Sequence, residues 1–149
     1  KRLTSSGYID DMAAGNLCVS VGYGGDLNIA KTRAQEAKNG VEIEVLAPKS
    51  GVGIWVDSLM IPRDAQNTAN AHKYINHTLA PEVAAQNGNF VTYAPSSRPA
   101  RALMDEKYTG DASIFPTKEL MDKSFIVSPK STDTSRLSVR LWQSLKAGK

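Results

Sequence analysis

The sequence lacks several features that would point to common classes of protein. Cys18 is the only cysteine among 149 residues, so no disulfide can form within the chain. No apolar run is long enough for a membrane span, and the first residues do not follow the basic-then-apolar pattern of a secretory leader. We therefore expect either a cytoplasmic chain or one whose leader has been removed, with the Cys18 thiol buried in the apolar run from Leu17 to Val19.

Concentrated charge and the motifs of common enzymes are also missing. The 18 Lys and Arg residues give a net charge of +3 but form no basic block, which argues against nucleic-acid binding. His72 and His77 are five residues apart, on different faces of a helix, which argues against a shared metal. The sequence contains no Walker loop, Gly-x-Ser-x-Gly elbow or dinucleotide motif. We expect no enzyme activity, no metal and no cofactor.

What the chain does contain is a pattern of α/β elements followed by a helical tail. With 41% hydrophobic residues it has the bulk of one domain with a core. Alternating apolar residues predict strands, and apolar residues at helical spacing between capping signals predict helices. The predicted strands are 17–21, 41–47, 52–61 and 90–94, and the predicted helices are 4–14, 27–38, 64–79, 81–88, 100–108, 117–123 and 133–147.

A glycine-rich turn, Gly22-Tyr23-Gly24-Gly25-Asp26, follows the first predicted strand and precedes a helix. Turns at the carboxyl ends of strands are where open α/β sheets bind their ligands. Glycines there permit tight bending or close approach of a ligand to the backbone. Two interpretations of Asp26 remain open, because an aspartate at this place either caps the helix or contacts a ligand, and it could do both. Tyr23 is the aromatic candidate in the same turn.

A second candidate arrangement lies in the apolar segment from Gly51 to Pro62. In a strand, Trp55 and Asp57 would share a face, pairing an indole with a carboxylate. An acid in an apolar segment favours a cationic partner, and the face of an indole attracts cations. The structural alternatives are a core Trp and an Asp that caps a turn. Tyr93 is the third aromatic candidate, with packing at the edge of the core as its alternative.

Four segments at consistent spacing carry a family resemblance. They are Asn16–Asp26, Glu36–Gly40, Gly51–Asp57 and Phe90–Tyr93. Together they resemble the C-terminal part of bacterial periplasmic polyamine-binding proteins, the putrescine or spermidine receptors of ABC importers. The resemblance implies a periplasmic location, a membrane permease as partner, and a two-lobed α/β fold of the type II periplasmic-binding-protein class that closes on its ligand. It implies that residues 1–40 end the second lobe, 41–98 return to the first, and 99–149 form a helical segment that packs back on both.

By the same resemblance, five positions match ligand-binding residues. Asp26 and Asp57 match carboxylates that receive ammonium groups, while Tyr23, Trp55 and Tyr93 match aromatic walls around the methylene chain. Position 23 carries Tyr where putrescine receptors commonly have Trp, and position 55 carries Trp where they commonly have Phe. The larger ring at position 55 predicts a spermidine-type pocket.

The family's N-terminal half, with its leader and another acidic ligand residue, has no counterpart in these 149 residues. This leaves three further interpretations open: a binding protein for another cationic or polar solute such as an amino acid or a sugar, a receptor fragment that does not bind alone, and self-association of that fragment.

Overall fold

The computed structural model describes residues 6–148, so the first two residues of the predicted helix 4–14 lie outside the described part. The described residues form eight helices and one pair of short strands. The elements are α1 (Tyr8–Ala13), α2 (Gly24–Ala37), β1 (Gly53–Ile54), α3 (Thr68–Leu79), α4 (Pro81–Val91), α5 (Arg98–Arg101), α6 (Glu106–Thr109), α7 (Lys118–Lys123), β2 (Phe125–Ile126) and α8 (Thr132–Lys146).

Helix boundaries follow local chemistry. Pro81 opens α4, where the missing N–H costs no helical hydrogen bond. The Thr117 and Ser131 side chains accept hydrogen bonds from the first turns of α7 and α8. Lys38 ends α2 in the left-handed conformation, ahead of the predicted Asn39-Gly40 turn. None of the described helices is long and apolar enough to cross a membrane.

Strand formation is much more limited than predicted. Within residues 6–148 the sheet consists of β1 and β2, which pair in parallel with Gly53 opposite Phe125 and Ile54 opposite Ile126. Segments 17–21 and 41–47 have no regular secondary structure and no strand partner in the described part of the chain. In residues 41–45 the alternation of the sequence is nevertheless visible in burial, because the apolar side chains are half-buried while Glu42 and Glu44 are exposed. The α/β pattern is thus present only in part.

Three further predictions are wrong. Residues 90–94 do not form a strand, because α4 continues past Gly88 to Val91. The predicted helix 100–108 is two short helices, α5 and α6. Cys18 is exposed rather than buried, because the segment that carries it joins no sheet in the described structure.

The buried residues are few and mostly small. Helix α1 packs on α2 through Tyr8, Met12 and Ala13. A second cluster joins α4 to α5 and the following turn through Ala84, Ala85, Ala100 and Met104, with Tyr108 and Phe115 against it. Large apolar side chains elsewhere are exposed, including Val21 at 98% and Phe90 at 86%. The first cluster matters most here, because it fixes the start of α2.

Candidate functional site

The glycine-rich turn delivers Tyr23 and Asp26 to the start of α2. Tyr23 is extended and precedes the first helical residue, and Asp26 lies in the first turn. A carboxylate is favourable there because the amino end of a helix carries partial positive charge. No side chain caps this helix, so the capping interpretation of Asp26 is not what the structure shows. Its carboxylate is engaged elsewhere.

Two tyrosine hydroxyls donate hydrogen bonds to the Asp26 carboxylate. The Tyr8 hydroxyl lies 2.6 Å from Oδ2 and the Tyr93 hydroxyl 3.3 Å from Oδ1. The Tyr8 oxygen also accepts from the backbone N–H of Tyr23 at 3.3 Å. Tyr8, Tyr23, Asp26 and Tyr93 therefore form one hydrogen-bonded cluster, which we call the Asp26 cluster.

The environment of this cluster disfavours ionisation of both phenols. Burial raises the pKa of the Tyr93 hydroxyl to about 12, and the negative charge of Asp26 adds to the shift. Burial also raises the pKa of Tyr8, with its hydrogen bond to Asp26 as the next contribution. Both hydroxyls thus keep their protons at neutral pH and act as donors to the carboxylate.

Two glycines of the turn make room for the two tyrosine rings. A Cβ atom at Gly22 would lie 2.6 Å from Cε2 of Tyr8, and one at Gly25 would lie 2.0 Å from Cε2 of Tyr93. Neither glycine has positive φ, so close packing rather than backbone conformation requires them. These glycines serve the tyrosines that hold Asp26.

The end of α4 supplies Tyr93. Thr92 ends the helix in the left-handed conformation, at a φ of 55°, and its hydroxyl lies 2.9 Å from the carbonyl oxygen of Gly25. Thr92 is 4% exposed, so this buried hydroxyl is satisfied across 67 residues of sequence. The contact ties the end of α4 to the start of α2 and places Tyr93 beside Asp26.

A third segment, around Ser113, also contacts α2. The Asn28 side-chain amide donates to the Ser113 hydroxyl at 2.9 Å, and that hydroxyl donates to Asp111 at 2.7 Å. Burial opposes ionisation of Asp111, but the hydrogen bonds from Ser113 and the charge of Lys31 outweigh it and lower its pKa. Asn28 is buried, so this contact fixes the second turn of α2.

Trp55 meets Tyr23 directly. The ring centroids are 5.2 Å apart with an interplanar angle of 71°, the edge-to-face arrangement that aromatic pairs favour. The pair remains accessible, since Tyr23 is 49% and Trp55 43% exposed. The structure thus joins a half-exposed aromatic pair to the Asp26 cluster through Tyr23.

Asp57 is the one predicted site residue that the structure does not connect to the others. It follows β1 in a segment without regular secondary structure and is exposed. Within residues 6–148 its side chain makes no hydrogen bond or ion pair. The shared strand face predicted for Trp55 and Asp57 has no basis in strand pairing, because β1 ends at Ile54.

Tyr8 belongs to the site but was not among the predicted site residues. Tyr8 lies within the predicted helix 4–14 and is buried, at 6% exposure. A buried tyrosine needs a partner for its hydroxyl, whereas phenylalanine would not. That requirement was the available signal, although it does not identify Asp26, 18 residues away, as the partner.

Other possible sites in the described residues carry less chemistry. No group of three or more His, Cys, Asp or Glu side chains in residues 6–148 is placed to hold a metal ion. A shallow depression of about 600 Å³, lined by Arg98, Arg101 and Glu106 among others, contains no residue of the Asp26 cluster. His72 and His77 are exposed.

Comparison with known proteins identifies relatives that match almost the whole chain. Putrescine-binding periplasmic protein SpuD of Pseudomonas aeruginosa is 39% identical over 145 residues, which are 97% of this chain and 40% of SpuD. Putrescine-binding periplasmic protein PotF of Escherichia coli is 34% identical over 97% of this chain and 39% of its own length. A spermidine/putrescine-binding periplasmic protein of Salmonella typhimurium is 34% identical over 74% of this chain and 31% of its own length.

No protein-family model matches the sequence. The chain spans about two fifths of the length of the two putrescine-binding relatives. Identity of this size over 145 aligned residues establishes common ancestry and confirms the resemblance found in the four motifs. The chain is a homologue of the bacterial periplasmic polyamine-binding proteins.

Proposed function

We propose that this chain forms part of the substrate-binding component of a polyamine ABC importer and that it binds putrescine or spermidine. The observation that carries the proposal is that the Tyr8 hydroxyl links the Asp26 carboxylate to the backbone of Tyr23, whose ring contacts Trp55 from a segment about 30 residues away in sequence. It is supported by relatives whose names specify putrescine or spermidine binding. No reaction is involved, so the function is capture and not catalysis.

The chemistry of the junction suits a chain of methylene groups ending in ammonium groups. The Asp26 carboxylate accepts from an ammonium group, and a hydrogen bond between charged groups contributes about 1.5–3 kcal/mol. The faces of Tyr23 and Trp55 attract cations by roughly 0.5–2 kcal/mol and pack against methylene groups. Tyr93 adds a further aromatic wall beside Asp26.

In this proposal Asp57 supplies the second carboxylate. Its side chain is exposed and has no partner within residues 6–148, so a ligand ammonium would not have to displace an existing ion pair. Two carboxylates suit a dication or trication better than a monocation. The two-lobed fold, its closure on the ligand and the recognition of the closed form by a permease belong to the proposal, as does periplasmic location.

Calorimetric titration of the full-length protein with putrescine, spermidine, lysine and a neutral sugar tests this function. Asp26→Asn and Asp57→Asn should each weaken polyamine binding by about tenfold or more, the equivalent of one charged hydrogen bond. Asp64→Asn is the matched control, because Asp64 is also exposed and its carboxylate has no partner in the described structure.

Each comparison distinguishes the proposal from one alternative. Tight binding of lysine or the sugar with no polyamine binding would replace the proposal with a receptor for another solute. Unchanged polyamine affinity in Asp57→Asn would remove Asp57 from the site. Stronger binding of spermidine than of putrescine would support the spermidine preference expected from Trp55, and equal affinity would refute it.

A further inference from the structure

The Tyr8 hydroxyl makes two hydrogen bonds within the Asp26 cluster. It accepts the Tyr23 backbone N–H at 3.3 Å and lies 2.6 Å from Oδ2 of Asp26. Because the phenol oxygen is already an acceptor on one side, its single proton is directed to the carboxylate. One hydroxyl thus sets both the backbone before α2 and one oxygen of Asp26.

The ring that carries this hydroxyl is held in place. Tyr8 is 6% exposed, lies on α1 as it packs against α2, and contacts Gly22 so closely that no side chain fits there. Two further contacts hold α1 in place. Arg33 of α2 forms an exposed ion pair with Asp10 of α1. The Asn39 side chain, just after α2, donates a hydrogen bond to the Ala13 carbonyl of α1 at 3.0 Å. The hydroxyl therefore has little freedom to leave Asp26.

Together the two phenols restrain the carboxylate. Tyr8 donates to Oδ2 and Tyr93 to Oδ1, so rotation of the carboxylate would break one or both bonds. Each oxygen of an ionised carboxylate has a second lone pair, so both can still accept from a ligand. A carboxylate fixed in this way does not have to be ordered when the ligand binds, which avoids part of the entropic cost of binding.

We propose that Tyr8 is a positioning residue of the polyamine site, which orients Asp26 for the ligand ammonium without contacting the ligand itself. The inference rests on the function proposed above and deepens it. It assigns a binding role to a helix that the family motifs did not include. It also predicts that Tyr8 acts only through the Asp26 charge.

The test compares Tyr8→Phe with Tyr74→Phe in the full-length protein by calorimetric titration with putrescine and spermidine. Tyr8→Phe keeps the ring against Gly22 and removes only the hydroxyl. Tyr74 is exposed on α3, and its hydroxyl has no partner within residues 6–148, so Tyr74→Phe is the matched control. We expect about tenfold weaker binding in Tyr8→Phe, as for loss of one charged hydrogen bond, and no change in Tyr74→Phe.

A double-mutant cycle separates positioning from a general structural effect. If Tyr8 acts through Asp26, adding Tyr8→Phe to Asp26→Asn should change polyamine affinity by about twofold or less. A tenfold loss that persists in the Asp26→Asn background would overturn the inference and leave Tyr8 with a structural role. Equal affinity of Tyr8→Phe and the unmodified protein would overturn it as well.

A measurement without ligand distinguishes failure of this inference from failure of the proposed function. In a titration of tyrosinate absorbance, the Tyr8 phenol should ionise at lower pH when Asp26→Asn removes the neighbouring negative charge. The double variant Tyr8→Phe/Asp26→Asn is the reference that identifies the signal of Tyr8. An unchanged titration would refute the Tyr8–Asp26 bond whatever the ligand. If the titration moves but the unmodified protein binds no polyamine, the proposed function fails and the positioning role fails with it.

Discussion

Adjacent glycines at the start of α2 should respond oppositely to the same substitution. A Cβ at Gly24 would lie 3.5 Å from the Ser113 carbonyl oxygen, an ordinary contact, whereas a Cβ at Gly25 would overlap the Tyr93 ring at 2.0–2.6 Å. Both glycines lie in the first turn of the helix, so the gain from removing glycine flexibility is similar, at most about 1 kcal/mol.

The size of the difference follows from these contacts. Forcing a methyl group into a packed site costs about 1–3 kcal/mol, and displacing Tyr93 also weakens its hydrogen bond to Asp26. We expect Gly24→Ala to be neutral or to raise the free energy of unfolding by up to about 1 kcal/mol. Gly25→Ala should be less stable than Gly24→Ala by about 2 kcal/mol or more.

Urea denaturation of the two variants beside the unmodified protein measures this difference. Tyrosinate absorbance provides a second readout, because a displaced Tyr93 leaves its buried position and its pKa should fall from about 12 towards 10 in Gly25→Ala alone. Equal stability of the two variants would refute the packing argument. So would an unchanged Tyr93 titration in Gly25→Ala.

Two further predictions concern stability. The pKa values of Tyr8 and Tyr93 are raised in the folded state, so their contribution to the free energy of unfolding is complete below pH 10 and is lost as pH rises towards about 12. Alkaline unfolding followed by circular dichroism should show this loss of stability. The loss should be smaller in Tyr93→Phe. Gly51→Ala should destabilise the protein by about 2–4 kcal/mol in thermal unfolding, because φ is +100° and the new Cβ would lie 2.0 Å from the Lys123 carbonyl oxygen. Gly40→Ala is the control, because Gly40 has a φ of +80° and open space around it. This variant should lose only about 1 kcal/mol of stability, from backbone strain. Equal losses of stability in the two variants would show that the overlap at Gly51 has no effect.

Local sequence was sufficient where the chemistry is local. The turn before α2, the opening of α4 at Pro81 and the long C-terminal helix follow from glycine, proline and capping residues that act on their own neighbours. The grouping of Asp26, Tyr23 and Trp55 in one site came from the family resemblance and not from local sequence, and within it the structure brings the Tyr23 and Trp55 rings into contact. Strand pairing was not predictable in the same way, because alternation shows which face is buried but not whether a partner strand is present.

Gly88 shows how a correct rule was applied at the wrong place. Glycine near the end of a helical pattern commonly terminates the helix, so the sequence predicted an end there. In the structure Gly88 is buried inside α4, and a Cβ would lie 3.0 Å from Met104 Cε and 3.1 Å from the Tyr93 carbonyl oxygen. Its smallness serves packing, and the helix ends four residues later at Thr92.

Thr92 could not have been predicted from its neighbours to end α4. A β-branched residue with positive φ is strained, so local preference disfavours this conformation. Its hydroxyl is satisfied by the Gly25 carbonyl, a contact with a distant segment that offsets the local cost. The position of Tyr93, and with it one of the two donors to Asp26, depends on this long-range contact.

Gly25 therefore links the stability of the chain to the proposed ligand chemistry. Its carbonyl accepts the Thr92 hydroxyl, while its missing side chain leaves the space that the Tyr93 ring occupies. Alanine would strengthen the local helical preference and at the same time move a donor away from Asp26. Retaining glycine here costs helix stability but keeps the Tyr93 hydroxyl on the carboxylate of the proposed site.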